Sequence, residues 1–229
     1  MRGKDQLSSL PRRWSFTGLD DLRPTSSWAT YQWFDLDEQP TLQPDENLSW
    51  LDAADEQNRW AIESPERREH PFTVDRLRAM VPDDVLVPAS LTRFAMHADL
   101  RRRIRSATGC YLDLGDFAAR TSSDGVLLHV LSDQQWCRHW LVYLDGAGRN
   151  PVLTTTAPIG FDLTDDIEDW GVPDVVPLDG TFDLQVCADF FSEFLLRFWI
   201  ENELFYGGGS KPDSLLLASY AAALRSRSH

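Results

Sequence analysis

The sequence predicts a fold that contains both helices and a β-sheet, with the strands grouped together between helical parts of the chain. Apolar residues over 88–106 recur at the i, i+3, i+4, i+7 spacing of one helical face. From residue 110 the apolar period changes to two, which predicts strands at 110–114, 126–132, 136–144 and 151–156. A second strong helix is predicted over 189–206, where an apolar side accompanies a polar stripe made of Asp189, Glu193, Arg197 and Glu201.

The remaining parts of the chain are predicted to be shorter or less regular. Four prolines interrupt residues 1–46, so we expect an irregular N-terminal arm whose aromatic side chains dock onto a domain formed by 47–229. Two short strand-like pieces are predicted, Leu48–Leu51 and Arg59–Glu63. Thr73 is expected to cap a helix over 74–80, and a last helix is predicted over 212–225.

Length and composition limit the classes of protein that the chain can be. A chain of 229 residues fits one large domain, and its 42% apolar and 11% aromatic content can fill a core. The formal charge of −14 argues against binding to nucleic-acid phosphates and against adsorption to anionic lipid. It leaves open a protein partner with a basic surface. No apolar stretch follows the first charged residues, so we expect a cytoplasmic protein without a signal peptide.

Most of the negative charge belongs to one part of the chain. Residues 107–206 hold 17 acidic and four basic residues, whereas 1–106 hold 18 acidic and 15 basic ones. Within this part, a segment broken by glycine and proline carries eight acids and no base, which predicts a loop or flap. These acids, with Trp170 as an apolar anchor, are the predicted partner-binding residues: Asp162, Asp165, Asp166, Glu168, Asp169, Trp170, Asp174, Asp179 and Asp183. In the alternative interpretation the acids only maintain solubility and Trp170 packs onto the sheet.

The strands 126–132 and 136–144 are predicted to form a hairpin. If Gln134–Gln135 is a two-residue turn, Asp133 lies opposite Trp136. This register places His129 on the face of Arg138 and Trp140, and it places His139 and Cys137 on the other face. Both faces are largely apolar, so the two strands are expected to lie centrally in the sheet with a cover on each side.

The residues that most often carry chemistry do not combine into a recognisable site. The chain lacks the motifs GxSxG, HExxH, GxxxxGK[ST] and GxGxxG, so no cofactor and no catalytic residue is predicted. Two histidines on opposite faces could not share a metal ion, and Cys137 is expected to lie in the core. The cysteine count is odd and without CxxC spacing, so no disulfide framework is indicated. The basic cluster Arg101–Arg103 with Arg105 is expected to pair with acidic neighbours.

Three stretches resemble the SUKH superfamily, which is named for fungal cell-wall-assembly regulators and their bacterial relatives. FFSEFLLRFWIENELFY resembles the signature helix of that family, and VPASLTRFAMHADLRRRIRSATGCYLDL resembles its opening helix as found in actinobacterial members. SDQQWCRHWLVYLDGAGRNPV is similar to the family's DQQ turn and the strand that follows it. The stretch WLDAADEQNRWAIESPERREHPFTVDRL looks like the leader of its longer members. The resemblance covers about residues 48–206 and is strongest over 85–206.

The resemblance implies an α+β fold, in which helices flank a curved antiparallel sheet, without a catalytic constellation. It also implies that the chain is an immunity protein, which neutralises a polymorphic toxin such as a nuclease by direct binding. A regulatory or scaffolding domain without a toxin partner is the alternative, because a fold does not determine a function. An unrecognised hydrolase, including a glycosidase, is a weaker third hypothesis. A glycosidase needs two carboxyl groups on rigid elements, and here the acids cluster in a predicted loop.

Overall fold

The structure is a computed structural model that describes residues 6–16, 19, 31–57, 60–63, 71–162, 173–207 and 215–227. Its strands are β1 (Arg13–Phe16), β2 (Gln32–Asp35), β3 (Tyr111–Leu112), β4 (Ala119–Thr121), β5 (Val126–Ser132), β6 (His139–Leu144), β7 (Val152–Thr155), β8 (Val175–Val176) and β9 (Gln185–Ala188). Its α-helices are α1 (Ser49–Asp52), α2 (Val74–Met80), α3 (Ala89–Met96), α4 (Ala98–Arg101), α5 (Phe191–Phe205) and α6 (Leu215–Arg227).

The main sheet confirms the expected α+β fold with a curved sheet. Six strands follow the order β8-β4-β5-β6-β7-β9 and curl strongly into a half-barrel, and β3 pairs with β5 beside β4. The sheet is mixed because β4 and β8 pair in parallel, whereas its other strand pairs are antiparallel. Every residue of β5 and β6 is buried, which confirms their predicted central position.

Helix α5 packs against one face of this sheet through its aromatic side chains. The ring centroids of Phe194 and Phe198 lie 6.4 and 6.3 Å from that of Trp140 on β6. The helix ends at Phe205, and two residues later Gly207 has a φ of 82°, which is costly for any residue with a Cβ atom. The predicted helix over 189–206, and its contact with the sheet through Phe194 and Phe198, are therefore confirmed.

Two residues of the polar stripe, Arg197 and Glu201, are buried under the arm and α6, whereas Glu193 is partly exposed and Asp189 lies exposed just before α5. Trp14 donates from Nε1 to Glu201 at 2.8 Å, and the hydroxyl of Tyr220 donates to the same carboxylate at 2.6 Å. Arg197 donates to Glu193 at 2.9 Å and to the carbonyl oxygen of Pro40 at 3.2 Å. Buried ionised groups are tolerated only with such partners. The network therefore fixes the arm and α6 against α5.

The N-terminal arm is more regular than the sequence predicts. Its strands β1 and β2 pair antiparallel, and Val186 of β9 donates its backbone N–H to the carbonyl oxygen of Pro11 at 2.8 Å. The expectation of an irregular arm is wrong for these strands, whereas the docking of its aromatic side chains is confirmed for the fully buried Trp14. The division into an arm 1–46 and a domain 47–229 stays a prediction.

The β5–β6 hairpin forms as predicted but in a different register. His129 pairs with Leu141, and beyond a bulge Ser132 pairs with His139. The loop is Gln134–Cys137, because the backbone N–H of Asp133 donates to the carbonyl oxygen of Arg138 at 2.8 Å. A shift of one residue moves side chains to the opposite face. The predicted two-residue turn is therefore wrong, and so is the placement of His129 and His139 on opposite faces.

Two predicted elements before residue 107 also differ, for local reasons. Leu48–Leu51 is not a strand, because Asp45 accepts from the backbone N–H of Ser49 and α1 begins there. The long helix predicted over 88–106 is divided at His97 into α3 and α4. Arg101 folds back and donates to two carbonyl oxygens at the end of α3, each at 2.7 Å. Because Arg101 supplies hydrogen bonds to these two carbonyl oxygens, α3 can end here without a further turn of helix to supply N–H donors.

Other predictions for this region hold. Helix α2 has the predicted bounds, and the hydroxyl of Thr73 caps it by accepting from Arg76 N. The strand-like piece Arg59–Glu63 is reduced to a single bridge from Ala61 to Arg105, and Arg59 lies outside the described residues. The predicted pairing of the basic cluster is confirmed at three of its arginines, by Arg101–Glu63, Arg102–Glu56 and Arg105–Glu203, whereas Arg103 donates to backbone carbonyls.

Candidate functional site

The acidic segment, which we define as residues 162–183, is the first candidate surface. The structure describes its two ends, where Asp162, Asp174, Asp179 and Asp183 are all exposed. In these described ends, Asp174, Asp179 and Asp183 form no ion pair with a basic side chain. Hydrogen bonds from Thr181 lower the pKa of Asp179, so this carboxylate stays charged at neutral pH. The other predicted residues lie outside the described residues: Asp165, Asp166, Glu168, Asp169 and Trp170.

The first end of the segment is anchored to the loop that follows β3. The carbonyl oxygen of Gly160 accepts from the backbone N–H groups of Asp116 and Phe117, at 2.7 and 3.2 Å. Asp162 donates its own N–H to a carboxylate oxygen of Asp116 at 3.1 Å. A Cβ atom on Gly115 would lie 2.4 Å from the Gly160 oxygen, so only glycine allows this approach. The loop thereby holds Phe117 beside the acidic segment with 42% of its surface exposed.

A second aromatic side chain completes this surface from the β5–β6 loop. Trp136 is 37% exposed, and its ring centroid lies 5.2 Å from that of the buried Phe161. Its Nε1 donates a hydrogen bond to the hydroxyl of Tyr111. Its φ of 58° is unusual for an aromatic residue, so the surrounding contacts must hold the loop in place. Phe117, Trp136 and Phe161 form what we call the aromatic patch.

The sequence interpretation did not identify this aromatic patch. The sequence predicts a strand that begins at Trp136, so the prediction places this side chain in the strand and not in the loop. The polar run Ser132–Gln135 before a single tryptophan is the signal that favours a longer loop with an exposed aromatic tip. Phe117 carried no comparable signal, because its exposure depends on the contact between two distant loops.

Beneath the aromatic patch, the register brings two histidines and a serine together. The hydroxyl of Ser132 lies 3.0 Å from Nε2 of His129 and 2.9 Å from Nδ1 of His139, and these two nitrogens are 3.3 Å apart. His129 holds the Asp113 carbonyl oxygen with Nδ1 at 2.8 Å, so that nitrogen carries the proton. Burial lowers the pKa of His139 to about 4, so this ring is neutral at pH 7.

The chemistry open to this cluster is limited by its burial. Ser132 and both histidines have no exposed surface, so no substrate reaches the hydroxyl in this structure. In the described ranges, no group of three or more histidine, cysteine, aspartate or glutamate side chains is placed to hold a metal ion. The cluster fixes the end of the hairpin below Trp136, whose ring centroid is 5.4 Å from that of His139.

The three cysteines differ in exposure, and this difference is testable. Cys137 is exposed in the loop, so its predicted core position is wrong; Cys110 and Cys187 are buried. Burial raises the pKa of Cys110 to about 11 and also raises that of Cys187. Partial desolvation and Asp133 raise the pKa of Cys137 as well, so its exposure is what distinguishes it. We expect a thiol reagent at pH 8 to modify Cys137 faster than the two buried cysteines in the native protein, and all three after denaturation. The variant Cys137→Ser should lose the rapid phase, and two rapid native thiols would contradict the described burial.

Comparison of the chain with models of protein families, with curated proteins and with solved structures finds no match. Among the described helices, none combines the length and the apolar character that a lipid bilayer requires of a spanning segment. The fold defines the protein as an α+β protein with a half-barrel sheet. The features that bear on its function are the acidic segment and the aromatic patch on its surface.

Proposed function

We propose that the chain is a non-enzymatic immunity protein of the SUKH type, which neutralises a toxin with a basic surface by direct binding. The acidic segment is the observation that carries this proposal. It contains eight acids and no base, and at its described second end the exposed Asp174, Asp179 and Asp183 form no ion pair with a described basic side chain. The α+β fold with a curved sheet agrees with the form that the SUKH resemblance implies.

The charge distribution favours a cationic protein as the partner. Carboxylates crowded on one segment repel each other, and a basic surface relieves this repulsion as it binds. A nuclease carries such a surface because it must hold phosphate groups. An acidic protein that covers this surface blocks the enzyme and is attracted to it over long distances. No cofactor and no reaction is needed for this function.

The aromatic patch supplies the apolar contact that charge alone does not. Interfaces gain most of their affinity from a few desolvated side chains, among which tryptophan is frequent. Phe117 is exposed and follows Asp116, which accepts from the N–H of Asp162. Trp136 is exposed and packs on Phe161, the residue before Asp162. A basic side chain of the toxin can stack on these rings and contact the carboxylates at the same time.

The binding experiment begins with the neighbouring reading frames: a toxin domain encoded there is inactivated by mutation and used as the partner. Asp174, Asp179 and Asp183 are changed together to asparagine, and the association rate is measured by surface plasmon resonance across a salt series. We expect the association rate at low salt to fall about tenfold, because long-range attraction acts mainly on encounter. The difference should disappear at high salt, where charges are screened.

A matched control variant loses the same three negative charges at positions outside the acidic segment. Asp55, Asp83 and Asp84 are also exposed, and their replacement by asparagine should leave the association rate almost unchanged. Equal effects of the two triple variants would remove the acidic segment from the interface. A tight complex that leaves the active toxin uninhibited would instead favour the regulatory or scaffolding function, and no complex at all would contradict the toxin as partner.

A further inference from the structure

Arg138 lies immediately before β6 and is buried without a hydrogen-bond partner for two of its nitrogens. Only 7% of its surface is exposed. Its Nε and Nη1 atoms are buried and donate to no acceptor in the described structure. Its guanidinium carbon lies 4.4 Å from the ring centroid of Trp33 and 5.7 Å from that of Tyr31, so two aromatic residues of the arm cover it. These two nitrogens are therefore shielded from bulk water.

The nearby carboxylates are engaged elsewhere. Asp133 accepts from the Tyr31 hydroxyl at 2.9 Å and from the backbone N–H of Gln135 at 2.8 Å. Asp183 accepts from the side-chain amide of Gln185 at 3.0 Å. No described carboxylate lies within ion-pair distance of Arg138. A buried guanidinium without a counter-ion is strongly unfavourable, and burial accordingly lowers its pKa.

Further polar atoms without partners lie on the same face of the sheet. They are Nε1 of Trp140, Oγ1 of Thr154 and Oε1 of Gln185, all buried. Trp140 pairs with Thr154, and Thr154 pairs with Gln185, so the three side chains form a row across β6, β7 and β9. Arg138 precedes Trp140 by two residues, and the ring of Tyr31 is close to both of them. Buried polar groups in native proteins nearly always bind a protein group, a water molecule or a ligand, so this row is a place where such a partner fits.

We propose that Arg138 is the centre of a binding site for a small molecule that carries a carboxylate group. The guanidinium offers charge-assisted donors to a carboxylate, while Thr154 and Trp140 can donate from the sheet. The oxygen of Gln185 can accept from a hydroxyl or amino group of the same molecule. The cover of Trp33 and Tyr31 favours a weakly hydrated monoanion over a doubly charged phosphate, which costs more to remove from water.

The acidic character of the chain makes this site selective. A net charge of −14 repels anions in general, so an anion stays bound only where local donors overcome that repulsion. The site lies beneath the arm, and because the acetate test uses the protein without the toxin, its outcome does not depend on the toxin contact proposed above.

The test measures the binding of acetate to the full-length protein by isothermal calorimetry and by thermal unfolding at pH 7. Acetate, phosphate and chloride are compared at equal ionic strength. We expect saturable binding of acetate and a rise of the melting temperature beyond that in chloride. In Arg138→Met, which keeps an apolar stem, the acetate response should disappear, and its stability in chloride should be at least that of the wild type because the unpaired charge is gone.

Two further variants make the result decisive. Arg138→Lys keeps the charge but loses the fork of donors, so its affinity for acetate should fall about tenfold. Arg120→Gln removes an exposed arginine on β4 and should bind acetate like the wild type. Equal acetate responses in wild type and Arg138→Met, or no response beyond chloride, would overturn the site and leave only water as the partner of Arg138. A stronger response to phosphate than to acetate would overturn the carboxylate assignment.

Discussion

Replacing Phe198 with alanine should lower the free energy of unfolding by about 3–5 kcal/mol. Phe198 is only 3% exposed, and its ring lies within 5.7 Å of that of Phe194 and within 6.3 Å of that of Trp140. Removing the ring opens a cavity between α5 and the sheet, which rigid strands cannot close. Chemical denaturation monitored by circular dichroism measures the change.

The same helix provides a control for this prediction. Phe205 is the last residue of α5 and is 38% exposed, so Phe205→Ala should cost less than about 1 kcal/mol. Similar losses for the two variants would mean that the interior contact of α5 with the sheet does not dominate its stability.

Acidification from pH 7 to pH 4 should lower the free energy of unfolding by about 3 kcal/mol, because the buried His139 resists protonation in the folded protein. The pKa of this histidine is lowered from 6.5 to about 4 in the folded protein, so folding releases a proton at intermediate pH. Its contribution is fully present above pH 6.5, falls as the pH decreases, and is lost at about pH 4. Unfolding free energies of the wild type and of His139→Gln, measured between pH 7 and 4, isolate this contribution from that of the carboxylates.

We expect the difference in stability between these two proteins to change in favour of His139→Gln as the pH falls. The control is His97→Gln, because the His97 ring is exposed whereas the His139 ring is fully buried. Parallel curves for the wild type and His139→Gln would contradict the burial of a neutral imidazole beneath Trp136.

Long periodic segments were predictable from the sequence, and their partners in space were not. Helix α5 and strands β5 and β6 follow from apolar spacing, which records burial directly. The register of the hairpin depends instead on the length of its loop and on the bulge between His129 and Leu131. Neither feature has a strong local signal, and an error of one residue is enough to separate two histidines that are in contact.

The candidate site shows the same division. The acidic segment could be found from the sequence because charge is a property of composition. The aromatic patch could not, since Phe117 binds Gly160 through its backbone and Trp136 packs on Phe161 only when the loops after β3, β5 and β7 come together. Arg138 likewise gave no signal, because an arginine in a strand is ordinary until its burial and its missing acceptor are both known.

The contact between Pro11 and β9 has a consequence for self-association. An open edge strand offers unpaired N–H and C=O groups to any other extended chain, which promotes aggregation. At one border of the sheet, the residues before β1 occupy this position through the bridge from Arg12 to Val186. At the opposite border, β8 is only two residues long and follows the exposed Asp174. Both borders thus discourage the addition of a foreign strand. At β9 the position is already occupied by the arm, and at β8 the strand is short and lies next to a negative charge.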